Sequence, residues 1–396
     1  MKILCVCQYY APEPFRIPDI CRGLTERGHS VTVVTGTPNY PEGEIYPGYG
    51  KGRHQDEIID GVRVHRCPLI PRKKGAFYRF LNYYSFVFSA GRYLKGLKEE
   101  FDVVFINQLS PVMMAQPALQ WAKRNRKKSV LYCLDLWPAS LLAGGIRESS
   151  PIHRVFLGIS RRIYRKADTI AVSSHGFLSY FQDVLGIDAS QIRYLPQYAE
   201  ALFDDLSRTP GKKEGADFVF AGNVGTMQSV ETIVEAARLL QENPDIRIHV
   251  VGSGIALDHC RQLAQGLSNI TFYGRHPLEE MPGFYAMADA MLVTMAKDPV
   301  MDINFPGKVQ SYMAAGKAIL GAVDGETARM IHEADCGICV PAGDANALAK
   351  AMETAAADLS AWEQYGVNAK KYYLENFRRE GFLDSLEQLL RENAEP

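Results

Sequence analysis

The chain has 396 residues, 47% of them apolar, 22% charged and 10% aromatic, a balance that excludes a disordered polypeptide and supplies material for two hydrophobic cores. Lys and Arg number 44 against 45 Asp and Glu, which argues against a protein that coats nucleic acid. The near-neutral total hides a split: residues 1–200 hold 27 basic and 17 acidic side chains, residues 201–396 hold 17 and 28.

The start MKILCVCQYY runs directly into proline-bearing chain without a small-residue cleavage site, so no secretory leader is expected. No window of about 18 apolar residues offers a membrane span, and a cytoplasmic protein is expected. Eight cysteines lie scattered in apolar segments and read as reduced thiols. The pair Cys336 and Cys339 lacks a second pair at zinc-binding spacing, and no metal or other cofactor is expected.

Residues 2–9 form a short apolar run that stops at Ala11-Pro12-Glu13-Pro14, which predicts a strand and then a loop. Ile17, Ile20, Cys21 and Leu24 recur at helical spacing before Gly28, and 30–35 reads as the next strand. The same alternation returns at 103–106, at 116–127 with 129–133, and at 170–172 with 176–185, which predicts a parallel sheet between helices. Around 196–216 the pattern lapses into polar, Pro- and Gly-bearing chain, where a linker is expected. It restarts with strands at 218–220, 246–251, 270–272 and 290–293, and helices at 230–240, 256–265 and 278–287. The expected fold class is α/β: two Rossmann-like, doubly wound domains, 1–200 and 201–396, holding a ligand in a cleft at the carboxyl ends of their sheets. The closing stretch 372–393 reads as a helix able to pack back on the N-terminal domain.

Candidate chemistry concentrates in the second half. In Phe218-Val219-Phe220-Ala221-Gly222-Asn223-Val224-Gly225 two glycines separate a buried strand from a helix, where free N–H groups and the helix dipole can meet a diphosphate. Val251-Gly252-Ser253-Gly254 repeats the arrangement one strand on. The first turn, taken alone, can equally reflect backbone crowding; two such turns on neighbouring strands favour phosphate. In Asn304-Phe305-Pro306-Gly307-Lys308-Val309-Gln310-Ser311 a Pro-Gly turn delivers Lys308 as a point charge for phosphate, with Ser311 on the same helix side. Asp324-Gly325-Glu326-Thr327 sits at a loop-to-helix start, with Thr327 the expected cap and Glu326 a candidate for sugar hydroxyls. In the first half, Asp135 in Cys133-Leu134-Asp135-Leu136-Trp137-Pro138 closes a buried strand. It either contacts the reacting hydroxyl or caps the next turn. Glu13 and Arg16 follow the first strand and face the same edge, with His175 a further candidate.

These blocks, with ERGHSVTVVTG, AGNVG, VVGSG, FYGRHP and PGKVQSYMAAGKAIL…GE in order, resemble glycosyltransferase family 4, of the two-domain GT-B fold, and the likeness covers nearly the whole chain. The subgroup with DLWPAS and a PxKVQSYMAAGK run is similar to transferases of bacterial O-antigen and capsule assembly, including N-acetyl-L-fucosamine transferases. That resemblance implies a UDP-sugar donor in the second domain and a polyprenyl-diphosphate-linked acceptor in the first, with retention at the anomeric carbon and no metal. The expected donor set is Gly222, Asn223, Gly225, Gly252, Gly254, Arg275, His276, Lys308, Val309 and Ser311, with Glu326 the substitute for the family's missing carboxylate and, by the resemblance, Tyr273–His276 near the base. Asp135, Glu13 and Lys308 carry the catalytic expectation, and Glu13, Arg16 and His175 the acceptor. The chain departs from the family where its phosphate loop carries Arg and Lys, since Asn223 and Gln228 stand there. The Glu-x7-Glu pair is also missing: Ser311 takes the second position, or more loosely Asp302 pairs with Gln310.

Residues 71–98 interleave seven Lys or Arg with eight Phe or Tyr and hold no acid, a composition suited to anionic lipid at the inner face of the plasma membrane. Arg72, Lys73, Lys74, Phe77, Arg79, Phe80, Tyr84 and Phe88 carry that expectation. A sugar-nucleotide epimerase and a nucleotide-sugar binding module without turnover are the rivals on the same fold.

Overall fold

The computed structural model describes residues 1–73, 75–143, 145–204, 206 and 215–394. The chain divides into two compact units, Met1–Leu195 with Leu383–Pro396, and Pro196–Phe382.

The first unit is an eight-stranded sheet: β1 (Lys2–Cys7), β2 (Ser30–Gly36), β3 (Asp56–Ile59), β4 (Val62–Cys67), β5 (Val103–Gln108), β6 (Ser129–Cys133), β7 (Thr169–Val172) and β8 (Ile192–Tyr194). They lie in the order β3-β4-β2-β1-β5-β6-β7-β8. Every neighbouring pair is parallel except β3 with β4. The central strands read as continuous apolar runs because helices cover both faces: Ile3 to Cys7 and Val103 to Gln108 are all buried. The helix Ile17–Glu26 buries Ile17, Ile20, Cys21 and Leu24. It ends where the amide of Gly28 reaches Thr25 O and that of His29 reaches Leu24 O, a reversal that the positive φ of Gly28 permits.

The hairpin β3–β4 was not foreseen. Asp60 and Gly61 link its strands with φ of 50° and 79°, the geometry of a two-residue I′ turn, for which Asp-Gly between apolar residues is the usual signature.

The second unit is a six-stranded, wholly parallel sheet: β9 (Ala216–Ala221), β10 (Ile246–Val251), β11 (Ile270–Gly274), β12 (Ala290–Thr294), β13 (Ala318–Ala322) and β14 (Gly337–Val340). The order is β11-β10-β9-β12-β13-β14. Alternation along β9 sends Phe218 and Phe220 into one core with Ile233, Ile248, Leu292 and Met352, and Val219 and Ala221 into the other with Met291, Tyr312 and Met330. Each such side chain contributes about 1.5–3 kcal/mol by leaving water, so both helix layers are pinned to the sheet.

The single helix expected over 372–393 is two. Leu359–Asn376 stops where Phe377 turns to φ −129°, ψ 15° and buries its ring 5.7 Å from that of Phe305; the chain resumes as Arg379–Ala394. From Leu383 onward it belongs to the first unit. There Glu387 pairs with Arg27 at 3.2 Å and His29 at 3.1 Å, and Asn393 donates to the Thr169 hydroxyl at 3.1 Å.

Candidate functional site

In a parallel sheet every strand delivers its following loop to the same edge, so each unit gathers short loops and helix starts at the carboxyl ends of its strands. In the second unit the loops after β9, β10 and β11 interlock. The amide of Gly222 donates to Val251 O, that of Val224 to Ser253 O, and that of Gly252 to Gly274 O at 2.7 Å. A Cβ on Gly252 would stand 1.8 Å from Gly222 O, at a φ of +140°. A Cβ on Gly254 would likewise stand 2.2 Å from Val224 O, so Gly252 and Gly254 are required by loop crowding, where the sequence pattern favours phosphate. Three N–H groups expected to face an anion are occupied in this way. Among the described residues the amides of Asn223 and Gly225 donate no hydrogen bond. Asn223 Nδ2 instead bonds Gln228 Oε1 at 3.0 Å, and a side chain on Gly225 would collide with both of those atoms at 2.7 Å.

Lys308 completes this edge. It enters from the start of the helix Gly307–Ala314 and lays its Nζ 3.9 Å from the centre of the Phe220 ring. A Cβ on Gly222, at a φ of +143°, would be 3.0 Å from that nitrogen, so glycine suits the turn and lets the ammonium lie close against it. Its Nζ is shut off from solvent and has no hydrogen-bond partner among the described residues. Burial pulls its pKa down to about 7. An ammonium without a counter-charge is costly in such a place, and an anion on the Gly222 turn would relieve that cost.

The other expected donor residues lie on the same unit with varied partners. Val309 is fully buried core. Ser311 is buried and its hydroxyl donates to Glu200 Oε2 at 3.1 Å and Gly307 O at 3.3 Å. Glu326 is buried and forked onto Arg329 one turn along, at 2.8 and 2.9 Å, so its carboxylate is engaged by a guanidinium rather than open to a sugar. Thr327 does not cap: its buried hydroxyl donates to Asn304 O at 3.0 Å, and Asp324 holds the cap position. Arg275 is exposed. His276 bonds Glu280 at 2.6 Å, with its ring 4.8 Å from Phe284. Gln310 is buried and donates to Gln197 O at 2.6 Å.

In the first unit the corresponding edge carries Asp135, two residues past β6. Its backbone carbonyl accepts from Gln108 Nε2 at 2.8 Å, and its side chain bonds Ser110, which Trp137 Nε1 also contacts. Burial raises the pKa of this carboxyl, while Ser110 and the Arg72 charge pull it back. Asp135 does not cap a helix; it is a half-buried carboxylate held by the loop that follows β5.

Glu13 does something other than face a substrate. Its Oε1 accepts from the amides of Asn39 and Tyr40, both at 2.8 Å, and its Oε2 from Tyr10 N at 3.2 Å. Burial pushes it up to about 7 against those three donors. With both oxygens spent on backbone, Glu13 ties the loops after β1 and β2 together. Arg16 is half-buried and its charge acts on the enclosed Tyr132. His175 is exposed, at the start of a short helix, its ring stacked 3.6 Å from that of Tyr194.

Arg72 was assigned to a membrane face, and the structure corrects this. Its guanidinium lies 5.7 Å from the Tyr40 ring centre and 5.9 Å from that of Tyr83, bonds Tyr9, and is enclosed by these rings. Its amide donates to Asn39 Oδ1 at 2.9 Å. Sequence reasoning missed it because β4 was not recognised, so the segment after Cys67 was not placed at the carboxyl edge.

Of the other membrane candidates, Lys74 lies outside the described residues. Lys73, Phe77, Arg79, Phe80 and Phe88 are exposed, Phe77 and Phe88 at 68% and 74%. Tyr84 is half-buried, its ring 4.4 Å from that of Phe80. No described helix is long and apolar enough to cross a membrane.

A family model described as "Glycosyl transferase 4-like domain" matches residues 15–197, and one described as "Glycosyl transferases group 1" matches 215–358. The chain is 25% identical over 340 residues, 80% of its length and 82% of the relative's, to the "Putative colanic acid biosynthesis glycosyl transferase WcaI" of Escherichia coli K12. Two solved structures share the fold over its whole length. Sucrose-phosphate synthase from Thermosynechococcus elongatus matches with a TM-score of 0.74 at 17% identity, covering 99% of this chain and 98% of that one. Anabaena HepE, solved in complex with UDP and glucose, matches with a TM-score of 0.68 at 16% identity, covering 99% of each.

Proposed function

Because the chain belongs to the bacterial glycosyltransferases of family 4 type, with the GT-B fold, we propose that it moves a sugar, N-acetylated, from a UDP-sugar to a polyprenyl-diphosphate-linked saccharide during surface polysaccharide assembly. The observation that carries the donor half is Lys308: a solvent-shielded ammonium with no hydrogen-bond partner among the described residues, pressed against the Gly222 turn beside the amides of Asn223 and Gly225, which donate to none of them. Departure of UDP concentrates negative charge on the diphosphate, and fixed donors in a dry site stabilise that charge where it develops. One ammonium and two amides can do so, and no metal enters the proposed reaction. The UDP and glucose of HepE and the colanic acid role in the printed name of WcaI support a UDP-sugar and a cell-surface product.

The acceptor half rests on Asp135 and Arg72. The half-buried carboxylate of Asp135 orients the attacking hydroxyl, and Arg72 in its tyrosine cage meets the acceptor's diphosphate. The proposed stereochemistry is retention, with the leaving phosphate taking the hydroxyl proton. The exposed Phe77, Phe80 and Phe88 with Lys73 and Arg79 suit peripheral attachment to anionic lipid on the cytoplasmic side.

The test incubates the full chain with radiolabelled UDP-sugars and bacterial lipid extract. Label passing into the organic phase, and failing to do so with Lys308→Met, supports the reading. A converted sugar nucleotide without acceptor would assign an epimerase, and binding without turnover a non-catalytic module.

A further inference from the structure

A cavity of about 1040 Å³ runs along the first unit between the helix Ala76–Gly96 and strand β4. One helix stripe forms its wall, Ser85, Phe88, Ser89, Arg92, Tyr93 and Gly96, at steps of three and four residues that align on one face. The small side chains Ser85, Ser89 and Gly96 leave the space open, and a Cβ on Gly96 would meet nothing within 4 Å. The floor is flat, because the Tyr93 ring stacks on His65 at 3.5 Å and 8°. Among the described residues no carboxylate lines the cavity, Asp56 reaching only the far side of the floor at His65 Nδ1, 2.6 Å away, and Arg92 and Lys98 stand along it.

The two ends differ. Gly96 and Lys98 mark the far one. The near one is fixed by Ile70, whose amide donates to Ser85 Oγ at 2.9 Å and whose carbonyl accepts from Asn82 Nδ2 at 2.7 Å. Two residues beyond Ile70 the chain reaches Arg72, in its tyrosine cage with its charge acting on Asp135. An apolar channel with Arg92 and Lys98 on its wall, and with Arg72 two residues along the chain from its near end, is complementary to a single hydrocarbon chain that ends in an anion.

We propose that this groove holds the isoprenoid chain of the acceptor lipid, its diphosphate toward Arg72 and its tail along Ser85–Gly96, an inference that rests on the polyprenyl acceptor proposed above. From Ser85 to Gly96 the helix rises roughly 17 Å. The main chain of a geranyl group, eight carbons with bonds of about 1.5 Å, reaches roughly 10 Å and stops short of Gly96.

The experiment measures dissociation constants of geranylgeranyl diphosphate, geranyl diphosphate and inorganic diphosphate for the full chain by calorimetry. Geranylgeranyl diphosphate is expected to bind at least tenfold tighter than geranyl diphosphate, and that tighter than inorganic diphosphate. Ser89→Trp, which fills the middle of the groove, should weaken both prenyl ligands tenfold or more and leave inorganic diphosphate unchanged. Gly96→Leu, at the open end, should weaken only the longer chain. UDP-glucose binding and the circular dichroism spectrum serve as the fold control for each variant; should Ser89→Trp fail it, Gly96→Leu decides alone. Equal constants for the three ligands, or prenyl binding indifferent to a folded variant, would overturn the proposal. So would displacement of the prenyl ligand by phosphatidylglycerol vesicles that bind Ser89→Trp less well than wild type, since the groove would then belong to membrane acyl chains. A lipid-linked product formed while the groove variants bind prenyl ligands normally sinks the groove and spares the acceptor reading. Prenyl binding without any lipid-linked product does the reverse.

Discussion

Replacing Lys308 with methionine keeps the length of the side chain and removes its charge, and the structure sets what that should do to proton uptake. The ammonium is held at about 7 by burial, so close to half the free molecules carry its proton at pH 7, by roughly the ordinary titration relation. A diphosphate at the Gly222 turn supplies the opposite charge and moves the group back toward the ordinary lysine range. Binding of a UDP-sugar, whose diphosphate diester does not titrate near neutrality, should therefore take up about 0.5 proton at pH 7 and about 0.9 at pH 8. Calorimetry with UDP-glucose and UDP-N-acetylglucosamine in buffers of different ionisation enthalpy reads this number from the slope of observed enthalpy against buffer enthalpy. Lys308→Met should show no uptake and bind roughly 10- to 150-fold more weakly, the worth of one hydrogen bond to a charged group at about 1.5–3 kcal/mol. Stability moves the other way. Between about 7 in the folded state and 10.5 in the unfolded state, the unfolded chain binds more protons, so wild-type stability rises with pH across that window. The substitution should flatten that slope and stabilise the free protein at pH 7 by up to about 4 kcal/mol. Uptake near zero at both pH values, or equal uptake by the variant, would refute the placement of the diphosphate.

Asp135→Asn should lower turnover by roughly 10- to 150-fold, the worth of one charged hydrogen bond that orients the hydroxyl at about 1.5–3 kcal/mol, with UDP-sugar affinity unchanged. Because burial raises its pKa, wild-type kcat/KM should fall as pH drops, at a higher pH than for an ordinary aspartate, and steady-state assays across pH 4–8 read this. Glu13→Gln should lower stability by about 1–3 kcal/mol, seen as a reduced Tm, because an amide nitrogen replaces an oxygen that accepts from backbone N–H. Its folded pKa of about 7 lies above the ordinary glutamate value of 4.5. The stability it contributes is therefore full below 4.5 and lost as pH rises to 7, and in Glu13→Gln that part of the pH dependence should vanish. Joint replacement of Phe77, Phe80 and Phe88 by serine should leave Tm within a degree or two, since all three are exposed. Flotation with phosphatidylglycerol vesicles should drop severalfold; unchanged flotation would remove this surface from the membrane proposal.

Where apolar residues ran together or recurred at a fixed period, the elements were legible: the two sheets, the helix Ile17–Glu26 with its Gly28 stop, and the turn after β9. The place of Lys308 at a helix start was legible too, because Pro306-Gly307 marks the turn into the helix Gly307–Ala314. The hairpin β3–β4 was hidden in a polar stretch, despite its Asp-Gly turn, and with it went the placement of Arg72. Glu13 showed the opposite failure. A carboxylate between prolines at a strand end looks exposed and reactive, and only folding revealed three amides waiting for it.

Local pattern alone determined the alternation of strand and helix, and so the parallel sheets and the edges to which their loops run, because burying an apolar stripe leaves few other arrangements. Which polar groups on those edges remain available was decided only in three dimensions. Gly252 and Gly254 are spent on backbone crowding and Glu13 and Glu326 on partners close at hand, while Lys308 is left with none among the described residues. The physical reason is that a hydrogen bond is settled between neighbours in space. The donor that claims Glu13 is Asn39, and the turn that shelters Lys308 is Gly222, residues the chain brings together only when the sheet has formed.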